Sequence, residues 1–167
     1  MIALLTDFGL DGLYVGQMHA LLAADLPGVQ VIDLCHTIPA QDIRAAAYLV
    51  PAYTQFLPPE SIIICVVDPG VGGNRPHAAF HSDGRRYIGP GNGIFDVLQQ
   101  HAHHFLKYHF SWPGVFSESF HARDIYTPAA CLLAESGTQD NLQAHSVTTA
   151  KPVFNPDLNE VIFFDHF

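Results

Sequence analysis

The sequence predicts an α/β fold with a mostly parallel central sheet and helices on both faces. Short apolar runs rich in β-branched residues alternate along the chain with segments of helical pattern, as expected for parallel strands joined by crossover helices. Two of these runs end in an aspartate and break into glycine-containing loops. With 167 residues and 49% hydrophobic content, the chain can fill a single core.

Turn and cap residues divide the chain into its predicted elements. Pro51 is expected to kink or end its helix, residues 82–85 indicate a hairpin turn, and Gly137 stops the last helix. The elements predicted in chain order are strand 2–6, helix 15–24, strand 29–35, helix 42–56, strand 62–67, hairpin strands 77–81 and 86–88, helix 93–101, strand 105–109, helix 125–135 and the start of a strand at 161–165.

The charge and cysteine content exclude several classes of protein. A net charge of −9 with seven basic residues argues against nucleic-acid and acidic-membrane partners. No apolar run reaches the ~18 residues of a membrane span, and the N-terminus lacks a basic leader. Cys35, Cys65 and Cys131 are odd in number and have no CxxC spacing, so we expect reduced, buried thiols in a soluble cytoplasmic protein.

The segment 65–75 consists of the end of an apolar strand followed by a Pro/Gly-rich loop that ends in an arginine. Asp68 stands at the carboxyl end of this strand, and Arg75 follows seven residues later. Asp7 ends the first predicted strand in the same way. Because ligands bind beyond the carboxyl ends of strands in open α/β sheets, Asp7 and Asp68 are expected to share one site. The alternative is a surface turn with an incidental acid and base.

A histidine precedes the last predicted helix. That helix has Pro128 in its first turn, which places His121 just before a helix N-terminus. The alternative for His121 is a helix cap or a solvent-facing side chain. Asp68, Arg75 and His121 all lie next to the ends of predicted elements, so we expect them to converge at the carboxyl edge of the sheet.

A run of histidines raises the alternative of a metal site. Imidazole suits zinc, but no cysteine or acid stands at a matching offset, so we expect no metal. Histidines near a helix C-terminus are also favoured by the helix dipole, which gives the run a structural explanation. These histidines are His101, His103, His104 and His109.

Six ordered segments together resemble one family, the S-adenosyl-L-methionine hydrolases (adenosine-forming). These enzymes are also called S-adenosylmethionine hydroxide adenosyltransferases and are related to the fluorinating and chlorinating enzymes. The resemblance runs from Ile2 to Phe167. The segments that carry it are Thr6-Asp7-Phe8-Gly9, Tyr14-Val15-Gly16, Asp33-Leu34-Cys35-His36, residues 67–72 with Arg75, Asn92-Gly93, and Phe120-His121-Ala122-Arg123-Asp124.

The resemblance implies hydrolysis of S-adenosyl-L-methionine to adenosine and L-methionine by attack of water or hydroxide at ribose C5′. Asp68, Arg75 and His121 match the family's catalytic set. Arg75 would hold the water, while either Asp68 or His121 would take its proton. Halide-using relatives differ at the aspartate and histidine positions, so the retained set favours hydroxide. No metal or organic cofactor is implied.

The resemblance also implies the residues that bind substrate. Asp7 matches the acid that holds both ribose hydroxyls, a task suited to a carboxylate. The other positions that match ligand contacts are Asn92, Ser119, Asp165 and Phe167. The family usually has Pro-Asp-Asn-Gly where this chain has Pro90-Gly91-Asn92-Gly93, so Gly91 replaces an acid.

Family members continue into a β-rich C-terminal domain, which a neighbouring subunit of a homotrimer contributes to each pocket. We therefore assign residues 1–150 to the α/β catalytic-type domain and residues 151–167 to a linker and the truncated start of the second domain. The expectation is a fragment or truncated product with impaired turnover. The alternatives are a non-catalytic remnant with weak nucleoside binding and, third, a metal-dependent hydrolase built on the histidines.

Overall fold

The computed structural model describes residues 1–137, 142, 145–146 and 152–164. The elements in these ranges, in chain order, are β1 (Ile2–Thr6), α1 (Leu13–Asp25), β2 (Val31–Cys35), α2 (Ile43–Thr54), β3 (Ile62–Val66), β4 (His77–Ser82), β5 (Arg85–Pro90), α3 (Asp96–His101), β6 (Phe105–Phe110), a π-helical turn (Ala122–Tyr126), α4 (Thr127–Ser136) and β7 (His145–Ser146). The described strands form one sheet in the order β2-β1-β3-β5-β4-β6-β7.

The central strands of the sheet are parallel. β1 pairs in parallel with β2 on one side and with β3 on the other, and β5 extends this arrangement beyond β3. β4 and β7 run antiparallel to the other described strands. The predicted mostly parallel sheet is confirmed. Since β2 and β3 lie on opposite sides of β1, the carboxyl ends of β1 and β3 meet where the strand order reverses.

Alternate residues of the central strands supply a core on each face of the sheet. On the first face, Leu4 and Ile64 are fully buried in a cluster that includes Met18 and Leu22 of α1 and Leu133 of α4. Because side chains alternate along a strand, their neighbours in β1 and β3 point the other way. α1 and α4 therefore cover one face.

The second face is covered by α2 and α3. Leu5 and Ile63 are fully buried here, in a cluster with Ala46 and Val50 of α2 and with Leu98 of α3. Helices thus lie on both faces of the sheet, as the sequence predicts. Such burial explains why β1 from Ile2 to Leu5, and β3 along its whole length, are apolar rather than alternating.

Two predicted helices differ from the structure at their ends. α2 continues past Pro51 to Thr54, because Pro51 removes only its own N–H and lies near the end of the helix. α3 begins at Asp96 rather than at residue 93. Gly93 has a φ of +105°, and the Asn92 side-chain oxygen accepts from the Ile94 N–H at 3.3 Å, so a turn occupies this position.

The predicted strand at 161–165 is not formed over residues 161–164, and Asp165 lies outside the described residues. Ile162 and Phe163 pack against the second core face, while Val161 and Phe164 are exposed. Within the ranges that the structure describes, residues 161–164 are held by side-chain packing and not by strand pairing.

The cysteines of the protein are free thiols. Cys65 and Cys131 are buried and Cys35 is half-buried. Burial raises the pKa of the Cys65 thiol well above its ordinary value, which keeps it protonated. In the described part of the chain, no helix combines the length and the apolar character that crossing a membrane requires.

The centre of β3 should be the most sensitive part of the core. Ile64→Ala removes a fully buried side chain, so we expect the free energy of unfolding to fall by about 2–5 kcal/mol. Phe56→Ala is the control, since Phe56 is 86% exposed. Urea unfolding measures both variants. Equal losses in the two variants would contradict the assignment of the core.

Candidate active site

The loop after β3 carries Asp68 and brings Arg75 back to the same edge of the sheet. Asp68 follows the fully buried Val67. Gly72 has a φ of +79°, and a Cβ there would lie 2.7 Å from the Glu118 carbonyl oxygen. Glycine at this position therefore lets the loop pack closely against the segment that leads to His121.

Arg75 and Asp68 form a bidentate ion pair. Arg75 Nε donates to Asp68 Oδ1 at 2.7 Å and to Oδ2 at 2.9 Å, and Arg75 Nη2 also donates to Oδ2. The side chains are only 11% and 4% exposed, respectively. Charge-assisted fork contacts of this kind fix both side chains in one plane.

His121 completes this cluster. Arg75 Nη2 donates to His121 Nδ1 at 2.9 Å. The structure thus brings together Asp68, Arg75 and His121, which lie far apart in sequence. They meet beyond the carboxyl end of β3, next to the carboxyl end of β1, where the topology favours ligand binding.

A π-helical turn positions His121. His121 precedes the turn Ala122–Tyr126, and the Thr127 backbone N–H and hydroxyl both donate to the Ala122 carbonyl, the hydroxyl at 2.8 Å. Pro128 follows and has no N–H to continue an α-helical pattern. π-helical turns of this kind often occur at functional sites.

The hydrogen bonds define the protonation state of His121. A guanidinium can only donate, so the Nδ1 that accepts from Arg75 carries no proton, and the neutral ring has its proton on Nε2. Burial, followed by the charge of Arg75, lowers the pKa of His121 and favours this neutral form. Within the described residues, the buried Nε2 has no hydrogen-bond partner. An unpaired buried donor of this kind is suited to a water molecule or a ligand.

A cleft of about 350 Å³ opens onto this cluster. Asp7, Asp68 and His121 line it, together with the aromatic side chains of Phe8 and Tyr14. Arg75 lies behind Asp68 and His121 and lines a separate hollow on the other side. Asp7 and Asp68 therefore line the same cleft, while Arg75 hydrogen-bonds to Asp68 and His121 and does not line it.

The carboxylate of Asp7 is held by the backbone. Its Oδ2 accepts from the Gln41 N–H at 2.8 Å. Gln41 has a φ of +63°, an unusual conformation for a non-glycine residue, and it lines the cleft. Burial raises the pKa of Asp7, an effect partly offset by the Gln41 N–H.

The other predicted ligand contacts differ in their placement. Ser119 lines the cleft, and its hydroxyl lies 3.1 Å from that of Ser117. Asn92 braces the backbone, since its side-chain nitrogen donates to the Val67 carbonyl at 2.9 Å. Asp165 and Phe167 lie outside the described residues.

Sequence reasoning missed two groups beside Arg75. His77 Nδ1 lies 3.3 Å from Arg75 Nη1 and 3.2 Å from the Tyr126 hydroxyl. The available signal was spacing, because residues two apart in an extended segment point to the same side. His77 is two residues after Arg75, at the start of β4.

Gly91, which replaces an acid of the family pattern, lies against Pro76. A Cβ at Gly91 would be 2.9 Å from Pro76 Cγ, and the Gly91 N–H donates to the Pro76 carbonyl at 2.9 Å. The space for a side chain at position 91 is therefore occupied by the residue between Arg75 and His77.

The first three histidines of the run lie on the surface near α3, whereas His109 lies in β6 and is half-buried. His101, His103 and His104 are exposed, and the His103 and His104 N–H groups donate to the carboxylate of Asp83. Over the described ranges, no group of three or more His, Cys, Asp or Glu side chains is arranged to hold a metal ion.

The half-buried imidazole of His77 should make the protein acid-sensitive. Burial, followed by the charge of Arg75, lowers the pKa of His77 to about 4, although Asp68 opposes this effect. An unfolded histidine titrates near ~6.5, so the unfolded chain binds more protons as the pH falls from ~6.5 towards 4. Stability should therefore decrease over this range.

Thermal unfolding at several pH values measures the effect. We expect the His77→Asn variant to show a smaller decrease in Tm between pH 6.5 and 4.5 than the unchanged protein. His101→Asn, at an exposed position, is the control. An identical slope for His77→Asn and the unchanged protein would contradict the neutral state of the half-buried His77.

Comparisons with known proteins show the family to which this chain is similar. The N-terminal domain of SAM hydroxide adenosyltransferases matches residues 2–143. The (R)-S-adenosyl-L-methionine hydrolase of Thermus thermophilus is 39% identical over 142 residues, covering 78% of this chain and 55% of the relative. The protein of the same name from Salinispora arenicola is 30% identical, covering 99% and 69%. The chain thus spans about half the length of the Thermus relative.

Two solved structures share the fold. An uncharacterised conserved protein from Thermotoga maritima superposes with a TM-score of 0.83 at 25% identity, covering 89% of this chain and 60% of that one. A conserved hypothetical protein from Thermus thermophilus has a TM-score of 0.72 at 34% identity, covering 88% and 58%. On the sequence match, the fold and the shared motifs, this chain belongs to the SAM hydroxide adenosyltransferase family.

Proposed function

We propose that this site hydrolyses S-adenosyl-L-methionine to adenosine and L-methionine. The observation that carries the proposal is the pair of contacts that Arg75 makes with Asp68 and His121, two residues that line one cleft together with Asp7. In the reaction, the water oxygen bonds to ribose C5′ while the C5′–S bond breaks. The electron pair of that bond goes to sulfur, giving the neutral thioether of methionine, and one water proton is released.

The hydrogen bonds favour Asp68 as the acceptor of this proton. The single lone pair of His121 Nδ1 is used by Arg75. Asp68 has about four lone-pair positions on its two oxygens and accepts three contacts from Arg75. It therefore retains capacity for a water O–H. The water proton becomes acidic as its oxygen bonds to carbon, so that a carboxylate can accept it.

His121 and Arg75 have different tasks in this proposal. The unpaired Nε2–H of His121 would donate to the water oxygen and fix its position. Arg75 would fix the relative positions of the Asp68 and His121 side chains through its hydrogen bonds, without lining the cleft itself. The sulfonium is already a good leaving group, so placement of the nucleophile is the main requirement.

The cleft suits a cationic nucleoside. The charge of Asp68 is balanced by Arg75, so the carboxylate of Asp7 gives the cleft the negative character that favours a sulfonium. Asp7 would hold the ribose hydroxyls with its carboxylate. Phe8, Tyr14 and Phe120 pack against one another, with Tyr14 and Phe120 ring centroids 4.9 Å apart, and supply an apolar wall.

The proposal includes no metal or organic cofactor. It places the chain in the cytoplasm and in a homotrimer in which a second domain of a neighbouring subunit would close the pocket. Comparing the 167-residue chain with the longer Thermus relative tests the need for that domain. Assays with and without a chelator test the independence from metal.

The reaction itself is tested by adenosine and methionine release from each sulfonium epimer, because the curated relatives are named for the (R) form. In H₂¹⁸O, the label should appear in the 5′-hydroxyl of adenosine. Binding of adenosine without any turnover would instead support a nucleoside-binding remnant.

Replacing Arg75 should impair turnover strongly. Arg75→Ala releases both Asp68 and His121, so we expect a loss of about 2 kcal/mol or more in transition-state stabilisation, roughly 30-fold in kcat/KM. Arg44→Ala is the matched control, since Arg44 pairs with Glu160 on the surface. An unchanged kcat/KM in Arg75→Ala would refute the role of the cluster.

Replacing Asp7 should weaken binding. Asp7→Asn removes a charged acceptor from the ribose contact, and we expect roughly tenfold weaker adenosine binding by calorimetry, the scale of one charged hydrogen bond. Asp11→Asn, at an exposed position on the same loop, is the control. Equal affinities for the two variants would exclude Asp7 from the nucleoside site.

A further inference from the structure

We propose that His77 is a positioning residue that fixes the guanidinium of Arg75. The inference rests on the proposed function for its kinetic consequences, but its structural basis is independent of that function. His77 opens β4, two residues after Arg75, and its Nδ1 lies 3.3 Å from Arg75 Nη1. Asp68 and His121 engage the Nε and Nη2 groups of Arg75, so His77 engages the remaining nitrogen.

The donor and acceptor roles follow from the chemistry of the groups. Arg75 can only donate, so His77 Nδ1 is the acceptor and carries no proton. The Tyr126 hydroxyl, 3.2 Å away, donates to the same nitrogen. Burial raises the pKa of Tyr126, which keeps the phenol protonated and able to donate. Both distances exceed the usual ~2.9 Å, as expected when two donors share one lone pair.

The surrounding structure holds the His77 ring in place. β4 lies between β5 and β6, and His77 pairs with Pro90 on one side and Phe110 on the other. Its ring packs on the rings of Phe110 and Tyr126, with centroids 5.6 Å away in each case. Two strand neighbours and two aromatic contacts therefore make His77 a rigid support.

This support completes the restraint on Arg75. Asp68 and His121 hold one side of the guanidinium, and His77 holds the Nη1 end. Without His77, the guanidinium of Arg75 can tilt about its contact with Asp68. This tilt would shift the His121 ring, which is hydrogen-bonded to Arg75. His77 lines the hollow behind the cluster, with Arg75, rather than the substrate cleft. Its loss should thus lower kcat and leave KM nearly unchanged.

Matched substitutions at His77 separate the acceptor from the bulk of the ring. His77→Leu keeps an apolar side chain of similar volume and removes the acceptor, whereas His77→Asn places an oxygen near the position of Nδ1. We expect kcat about tenfold lower in His77→Leu, with KM within about twofold, and near-complete rescue in His77→Asn. His81→Leu, on the same strand, is the control and should keep the original kcat.

A double-mutant cycle tests whether His77 acts through Arg75. In an Arg75→Ala background, His77→Leu should cause no further loss, because the group that it positions is gone. Additive losses would overturn the proposal, as would equal kcat values in His77→Leu and His77→Asn.

Side-chain ¹⁵N NMR of Arg75 provides a readout that needs no turnover. We expect a sharp, slowly exchanging Nε–H signal in the unchanged protein and in His77→Asn, and faster solvent exchange in His77→Leu. If the protein does not hydrolyse S-adenosyl-L-methionine, the proposed function fails, but the comparison of Nε–H exchange rates still decides the role of His77.

If His77→Leu does not fold, His77→Ala replaces it. An unchanged Nε–H exchange rate in the folded variant would overturn the inference.

Discussion

The buried ion pair between Arg75 and Asp68 is the interaction on which the site depends. Each side chain is almost fully removed from water, so each charge needs the other, and removing one would leave an uncompensated buried ion. The loop between them has to return Arg75 to the end of β3 within seven residues. Gly72 contributes to this loop conformation, because its positive φ and its close contact with the Glu118 carbonyl leave no room for a side chain. The pair in turn orients His121 through the remaining hydrogen of Arg75 Nη2.

Sheet topology determines where this pair lies. Because β1 is central and its two parallel neighbours lie on opposite sides, the loops after β1 and β3 diverge and leave a cleft between them. Asp7 lines this cleft at the end of β1, and Asp68 lines it after the end of β3. The third wall comes from the turn before α4, which packs with α1 on the first core face. The apolar cores thus bring together side chains that are more than 100 residues apart in sequence.

Local sequence patterns were sufficient for the parts of the fold that depend on local physics. Apolar runs identified β1 and β3, and their terminal aspartates indicated Asp7 and Asp68. The π-helical turn, the left-handed Gln41 and the contact of His77 with Arg75 depend on tertiary neighbours, which no local pattern reports. The same reason explains the error at residues 161–164. Their apolar pattern predicts a strand, but Ile162 and Phe163 pack on the second core face while Val161 and Phe164 are exposed, and residues 161–164 pair with no strand of the described chain.

The charge balance of the cluster supports a reaction that consumes a cation and releases a proton. Arg75 and Asp68 neutralise each other, and burial keeps His77 and His121 uncharged, so the cluster itself is close to neutral. Asp7 then gives the cleft a net negative character that favours a sulfonium. In the proposed reaction the sulfonium becomes a neutral thioether as a proton appears on Asp68. The positive charge therefore passes from the sulfonium sulfur to the proton on Asp68, and the total charge in the cleft does not change. Little electrostatic reorganisation is needed, which is the advantage of a preorganised site over bulk water.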